Sequence, residues 1–179
     1  VSAYIQTEGS TVTRSADVTQ ITGDQFSSWY NANQGTFYVD IDTDYGDVGS
    51  NSRILGLSSG GTWRTLQWTS APLNVAGTAV RSYGGSSEGV KYHPISPSPF
   101  GKHRIALSYD TADSMSVDGA AVQTGTTGQG YSSASDAIEL RIFRSNTTMA
   151  PNNNSYGHIS RLSYYNERLT DAELQQLTK

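Results

Sequence analysis

The stretch "DIDTDYGD", Asp40 to Asp47, holds four aspartates in eight residues, and carboxylates at that density suggest two chemistries. Glycoside hydrolysis needs two carboxyl groups about 5 to 9 Å apart across the scissile bond. Asp40 and Asp42, two apart on an extended chain, would project from one face at about 6 to 7 Å, with Glu139 as a further candidate. Calcium is the second chemistry. A helix-loop-helix calcium loop needs oxygens at its first, third and fifth places, glycine at the sixth and glutamate at the twelfth. Counted from Asp40, those last two places hold Tyr45 and Asn51, so that loop fails twice. A looser site made of Asp42, Asp44 and Asp47 leaves Ca2+ open, against the plain reading of a strand end followed by a turn.

A third chemistry is stacking. Sugar rings lay their C–H faces on aromatic rings while their hydroxyls pair with short polar side chains. Tyr38, Trp63 and Tyr83 are expected on the outward face with Asp40, Asp42, Gln67 and Arg81, and together they form the candidate groove. The alternative is that these rings pack against another layer, a loop or a neighbouring subunit. A lyase would need a Tyr and His pair beside a neutralising Arg or Gln. Tyr83, His103, Arg81 and Gln67 supply the residue types but no recognisable motif. No Gly-x-Ser-x-Gly elbow occurs, and the three histidines lack metal-ligand spacing.

Period-two alternation must position all of these. In "GTFYVDID", Phe37, Val39 and Ile41 interleave with Tyr38, Asp40 and Asp42, which predicts a strand with one face in the core. "RILGLSSGGTWRTLQWT" reads as a hairpin turning at Ser59 to Gly61, with Leu55, Leu57, Leu66 and Trp68 on one face and Trp63 and Gln67 on the other. Further strands are expected at "TAVRSY", "HRIALSY", "SMSVDGAAV", "AIELRIFR" and "HISRLSYY". Their core sets include Ile105, Leu107, Tyr109, Ile138, Leu140 and Ile142. Glu139 and Arg141 then form an outward ion pair of little energetic value. Asp118-Gly119 predicts a two-residue primed turn, and Trp29 and Trp68 belong to the core. "LTDAELQQLTK" is a helix that Thr170 and Glu173 cap reciprocally, stapled by Leu169 and Leu174. The proline-rich and asparagine-rich stretches at 89–102 and 144–157 read as loops.

The fold class is therefore all-β, an antiparallel two-sheet jelly-roll sandwich with one short C-terminal helix. The length of 179 residues fits one domain. A net charge of -4 leaves no basic stripe for a phosphate backbone, which excludes nucleic acid as the expected partner. No apolar run reaches the roughly 20 residues of a spanning helix, so membrane insertion is not expected. With no cysteine there are no disulfides or thiolate metal sites.

"KHRIALSYDTADSMSVDGAAV" followed by "GHISRLSYYNERLTDAELQQLT" resembles the closing half of concanavalin A-like jelly rolls of the laminin G and pentraxin sort. "SAYIQTEGSTVTRSADV" and "SSWYNANQGTFYVDI" are similar to segments of bacteriophage tail fibre, tailspike and other virion proteins. The resemblance implies glycan binding in a cleft or on rim loops. It makes residues 1 to 16 a linker or first strand continuing from a preceding segment, and 17 to 179 the domain. The glutamate-x-aspartate-x-x-glutamate strand motif of this superfamily's glycanases is missing. The expectation is a non-catalytic, lectin-like binder of a polysaccharide or cell-surface glycan, virion-borne or extracellular, in a full-length homotrimer. A glycanase or lyase, and a structural trimerisation module, are the alternatives.

Overall fold

The computed structural model describes residues 19–43, 53–58, 63–70, 78–84, 87–88, 93–95, 101–125, 131, 137–143 and 157–179. Its strands are β1 (Gln20–Thr22), β2 (Gly35–Thr43), β3 (Arg53–Ser58), β4 (Trp63–Ser70), β5 (Thr78–Gly84), β6 (Ser87–Glu88) and β7 (His93–Ile95), then β8 (Gly101–Tyr109), β9 (Asp113–Val117), β10 (Gln123–Thr124), β11 (Glu139–Ile142) and β12 (His158–Tyr165). Two helices, α1 (Asp24–Ser27) and α2 (Asp171–Leu177), complete the described elements. One sheet runs β1-β11-β3-β4-β5-β6 with β7 also on β5; the other runs β10-β9-β8-β2-β12. All the pairings among them are antiparallel. The all-β sandwich with a short C-terminal helix is as expected. Pro94, opposite Ala79, sits in a three-residue strand on one edge of the larger sheet, where a missing N–H costs no ladder bond.

The core is the alternation made solid. Phe37, Val39, Ile41, Ile105, Leu107 and Tyr109 from the five-stranded sheet meet Leu55, Leu57, Leu66 and Leu140 from the larger one, all of them buried. Trp29 packs against this core half-buried, as expected; Trp68's side chain lies outside the described residues. Ile138, expected inside, is 57% exposed. It precedes the first paired residue of β11, beyond the strand whose parity it shares. Asp118 and Gly119 both have positive φ, 50° and 73°, and Ala120 N–H donates to Val117 C=O at 2.9 Å; this is the expected primed turn.

One end of the core is aromatic. Phe26, Tyr30, Phe37, Tyr109 and Tyr164 stack or tilt against one another at 4.5 to 6.2 Å between ring centres. The Tyr109 hydroxyl donates to Asn31 C=O at 2.7 Å and lies 3.0 Å from that of Tyr164. Gly35 is required here, because a Cβ at that place would meet both hydroxyls at 2.6 Å. Gly35→Ala is expected to cost about 1–3 kcal/mol by overpacking, read as a lower denaturant midpoint with unchanged slope.

Burial raises the phenols of Tyr109 and Tyr131 above the ordinary tyrosine value. In the unfolded chain they ionise near pH 10, so above that pH the folded state binds more protons. The stability that these neutral phenols contribute is complete below that pH and is lost as pH rises past it. A denaturation series from about pH 8 to about pH 11 should show this fall, and Tyr109→Phe should reduce it.

Candidate functional site

A sandwich has two outward faces, and the cross-strand register assigns each side chain to one of them. On the larger sheet the core-facing set is Leu55, Leu57, Leu66 and Leu140. The opposite parity forms three rows of neighbours. Glu139 lies beside Ser58 and Ser58 beside Trp63. Arg141 lies beside Gly56, Gly56 beside Thr65, and Thr65 beside Tyr83. Arg53 lies beside Gln67, and Gln67 beside Arg81. This face is polar across four strands, whereas the reverse of the same strands carries the core leucines, with Arg64 and Ser82 buried at the same parity.

At its centre sits Arg141. Its Nε donates to Glu139 Oε1 at 2.9 Å and its Nη2 to Glu139 Oε2 at 3.0 Å, a two-pronged pair. The two side chains are 7% and 13% exposed, which corrects the expectation of a surface pair. In a buried setting the pair is costly to form and costlier to break, since either partner alone is an uncompensated charge. The fork engages only one side of the guanidinium: Nη1 is buried with no hydrogen-bond partner among the described residues. The neighbouring Gly56 adds no side chain between Arg141 and Thr65.

The third row is equally inward. Gln67 is fully buried, and its Oε1 accepts from Thr65 Oγ1 at 2.8 Å and from Arg53 Nη1. It holds Arg53, itself 3% exposed, in place. Tyr83 is half-buried. The backbones of Trp63 and Arg81 hold register positions on this face, and their side chains lie outside the described residues.

Tyr38, Asp40 and Asp42 point outward too, but from the five-stranded sheet, so the seven expected groove residues fall on opposite faces of the sandwich. Tyr38 is 4% exposed, covered by Leu174 of α2 together with Leu169, Leu177 and Tyr165. It is a packing residue, covered by a helix rather than by the second layer, loop or subunit of the alternative reading. Its phenol is raised above the ordinary value, first by burial and then by Asp40. The Arg161 guanidinium lies 5.3 Å from its ring centre. Asp40 lies 3.8 Å from Arg104 Nε, in a polar cleft of about 430 Å3 that Lys102, Arg104, Asp118, Ser160 and Lys179 also line. Most of the charge there is already engaged. Asp118 takes Arg104 N–H at 2.9 Å and lies 2.7 Å from His103 Nδ1, while Arg104 Nη1 donates to Lys179 C=O.

Asp40 and Asp42 share the outward face of β2, but the further residues weighed for enzyme chemistry are divided between the sheets. Asp40 and Asp42 are on one sheet and Glu139 on the other; His103 likewise lies on the sheet opposite Gln67 and Tyr83. Among the described residues no group of three or more acidic or histidine side chains could hold a metal ion. Asp44 and Asp47, and with them most of the expected calcium site, lie outside the described residues, as do residues 1 to 16 and most of the two long loops.

Arg53 and Thr65 are the residues that sequence reasoning missed, and Arg141 and Glu139 it weighed too lightly. One signal was legible in "RILGL": Arg53 shares parity with Leu55 and Leu57, and a charge at an inward place marks a break in the alternation.

No family model matches the sequence, and no curated protein matches it. Solved structures do match. The likeness is one of fold. A carbohydrate-binding module, CBM40, from the IT-sialidase of Ruminococcus gnavus, solved bound to alpha2,3 sialyllactose, matches 86% of this chain with 86% of its own, at 18% identity and a TM-score of 0.55. The sialidase of Trypanosoma rangeli matches 82% of this chain at 20% identity and a TM-score of 0.57. The NanB sialidase of Streptococcus pneumoniae matches 90% at 14% identity and a TM-score of 0.60. This chain spans 22% of the first of these sialidases and 27% of the second. The fold is thus shared with a solved chain of similar length and with parts of larger ones.

Proposed function

We propose that this chain is a non-catalytic carbohydrate-binding module. Its ligand is a carboxylate-bearing glycan of the sialoside class, held on the polar face of the larger sheet. The observation that carries this reading is Arg141: a buried guanidinium, oriented by Glu139, whose Nη1 has no hydrogen-bond partner among the described residues. An anion that displaces what covers that nitrogen gains a charge-assisted hydrogen bond away from bulk water, where such bonds are strongest. Glu139 offsets the charge of Arg141, and Arg53 supplies the net positive charge that a sugar carboxylate requires. Tyr83, half-buried, offers a hydroxyl group and a ring edge along the same row.

The module similar in fold that was solved with sialyllactose supports the ligand class. The setting follows the sequence resemblance: an extracellular or virion surface, in a longer multidomain chain. Three copies in a homotrimer strengthen weak single-site binding through effective concentration. Calcium at Asp42, Asp44 and Asp47 stays part of the proposal as a structural ion.

The test is a glycan array containing sialosides, their desialylated counterparts and bacterial polysaccharides, run with calcium and with chelator, with product analysis of every hit. Retention of acidic glycans without new products supports the reading. Released sialic acid or shortened glycan, or retention of neutral glycans alone, overturns it.

A further inference from the structure

The register between β3 and β4 slips by one residue. Ser58, Leu57, Gly56 and Leu55 pair with Trp63, Arg64, Thr65 and Leu66 in step, and then Arg53 pairs with Gln67. Ile54 is thus the extra residue of a β-bulge, two residues on one strand opposing one on the other. Its consequence is a change of face. Without the bulge Arg53 would share parity with Leu55 and point into the core. With it, Ile54 and Leu55 are both fully buried in the core, and Arg53 lies beside Gln67 on the polar face.

A bulge separates backbone groups that a regular ladder would pair, and here one side chain engages them. The Tyr131 hydroxyl accepts from Leu66 N–H and donates to Leu55 C=O, each at 3.2 Å. The ring is fully buried, packed 5.7 Å from Phe37 and 6.2 Å from Tyr109 between centres. Its own N–H donates to Asp113 Oδ2 at 2.8 Å, so the side chain reaches from the five-stranded sheet across the core into the ladder of the other. On the opposite edge of β3, Phe143 N–H donates to Ile54 C=O at 2.8 Å, and Phe143 does so at a φ of 59°. A bulky residue rarely adopts that conformation without support from its surroundings.

We infer that Tyr131 is a positioning residue for the ligand face: its hydroxyl wedges the β3–β4 ladder at the bulge that turns Arg53 outward, and so controls recognition of the ligand's charge without touching the ligand. The ligand half of this statement rests on the reading above; the wedge half does not.

The experiment is Tyr131→Phe, which keeps the ring and removes the hydroxyl. Affinity for α2,3-sialyllactose should fall about tenfold or more, whereas any binding of lactose, which carries no carboxylate, should not change. In the double variant with Arg53→Ala the loss should be no larger than for Arg53→Ala alone, because both changes remove the same contact. A purely structural role would weaken both ligands alike and give multiplicative losses, which would overturn the inference. A second readout needs no ligand. Cross-strand NMR contacts should place Arg53 opposite Gln67 in the unmodified protein, with the Tyr131 hydroxyl proton close to the Leu66 amide, and the Arg53–Gln67 contact should weaken in Tyr131→Phe. Its persistence there overturns the wedge, even in a protein that binds no sialoside. If sialyllactose fails to bind the unmodified protein while the NMR contacts behave as stated, the ligand assignment fails and the wedge stands.

Discussion

Arg141→Ala should destabilise the protein by about 3–5 kcal/mol and abolish binding of acidic glycans together. The stability loss comes from Glu139, 13% exposed and left without the guanidinium that both its oxygens accept from. Binding is lost because the same side chain carries Nη1, the group proposed to receive the ligand's carboxylate. The two effects separate in the double variant Glu139→Gln with Arg141→Met, which replaces the buried charges by neutral groups of similar size. Equilibrium denaturation should place that variant near the unmodified protein, and calorimetric titration should still detect no sialoside binding. Recovery of binding in it would remove Arg141 from the site.

The second large effect lies on the other face. Leu174 is fully buried where α2 lies on Tyr38 and Ala106, and the helix is seven residues long, too short to persist without tertiary packing. Leu174→Ala should cost about 2–5 kcal/mol, or a fall in melting temperature of about 5–15 °C for a domain of this size. Tyr38 should then become accessible, which a tyrosine-directed reagent followed by mass spectrometry would detect. Thr170 and Glu173 close the helix start reciprocally, with Thr170 N–H donating to Glu173 at 2.8 Å and Thr170 Oγ1 accepting from Glu173 N–H at 3.4 Å. That cap persists in Leu174→Ala but cannot replace the lost packing. Glycan affinity below the melting transition should be unchanged, because α2 and the ligand face are on opposite sides of the molecule.

Alternation along single strands was enough to read which residues of β2, β8 and β11 alternate inward, because a strand with one buried face writes its period into the sequence. It could not say which of two outward faces a residue occupies. Tyr38 and Tyr83 were both read as outward-facing rings, yet they lie on different sheets. Nor does parity report how much covers a side chain: Tyr38 lies under a helix and Gln67 is fully buried, and both were expected to be open. Arg53 stood out as a charge at an inward place, but the face it takes was out of reach for a third reason. Its face depends on one inserted residue, and that insertion is held by Tyr131, 78 positions away in the chain, through contacts that no local pattern encodes. Glu139 and Arg141 were legible as a pair, but their burial depends on where β11 sits in the sheet, between β1 and β3.

The central claim is that an acidic glycan binds the polar face of the larger sheet. An NMR titration of the unmodified protein with α2,3-sialyllactose, with lactose as the reference, tests it most directly. The account predicts saturable shifts that cluster at Arg53, Gly56, Thr65, Gln67, Tyr83, Glu139 and Arg141, and no such cluster with lactose. Shifts centred on Asp40, Lys102 and Arg104, or the same shifts with lactose, would contradict it.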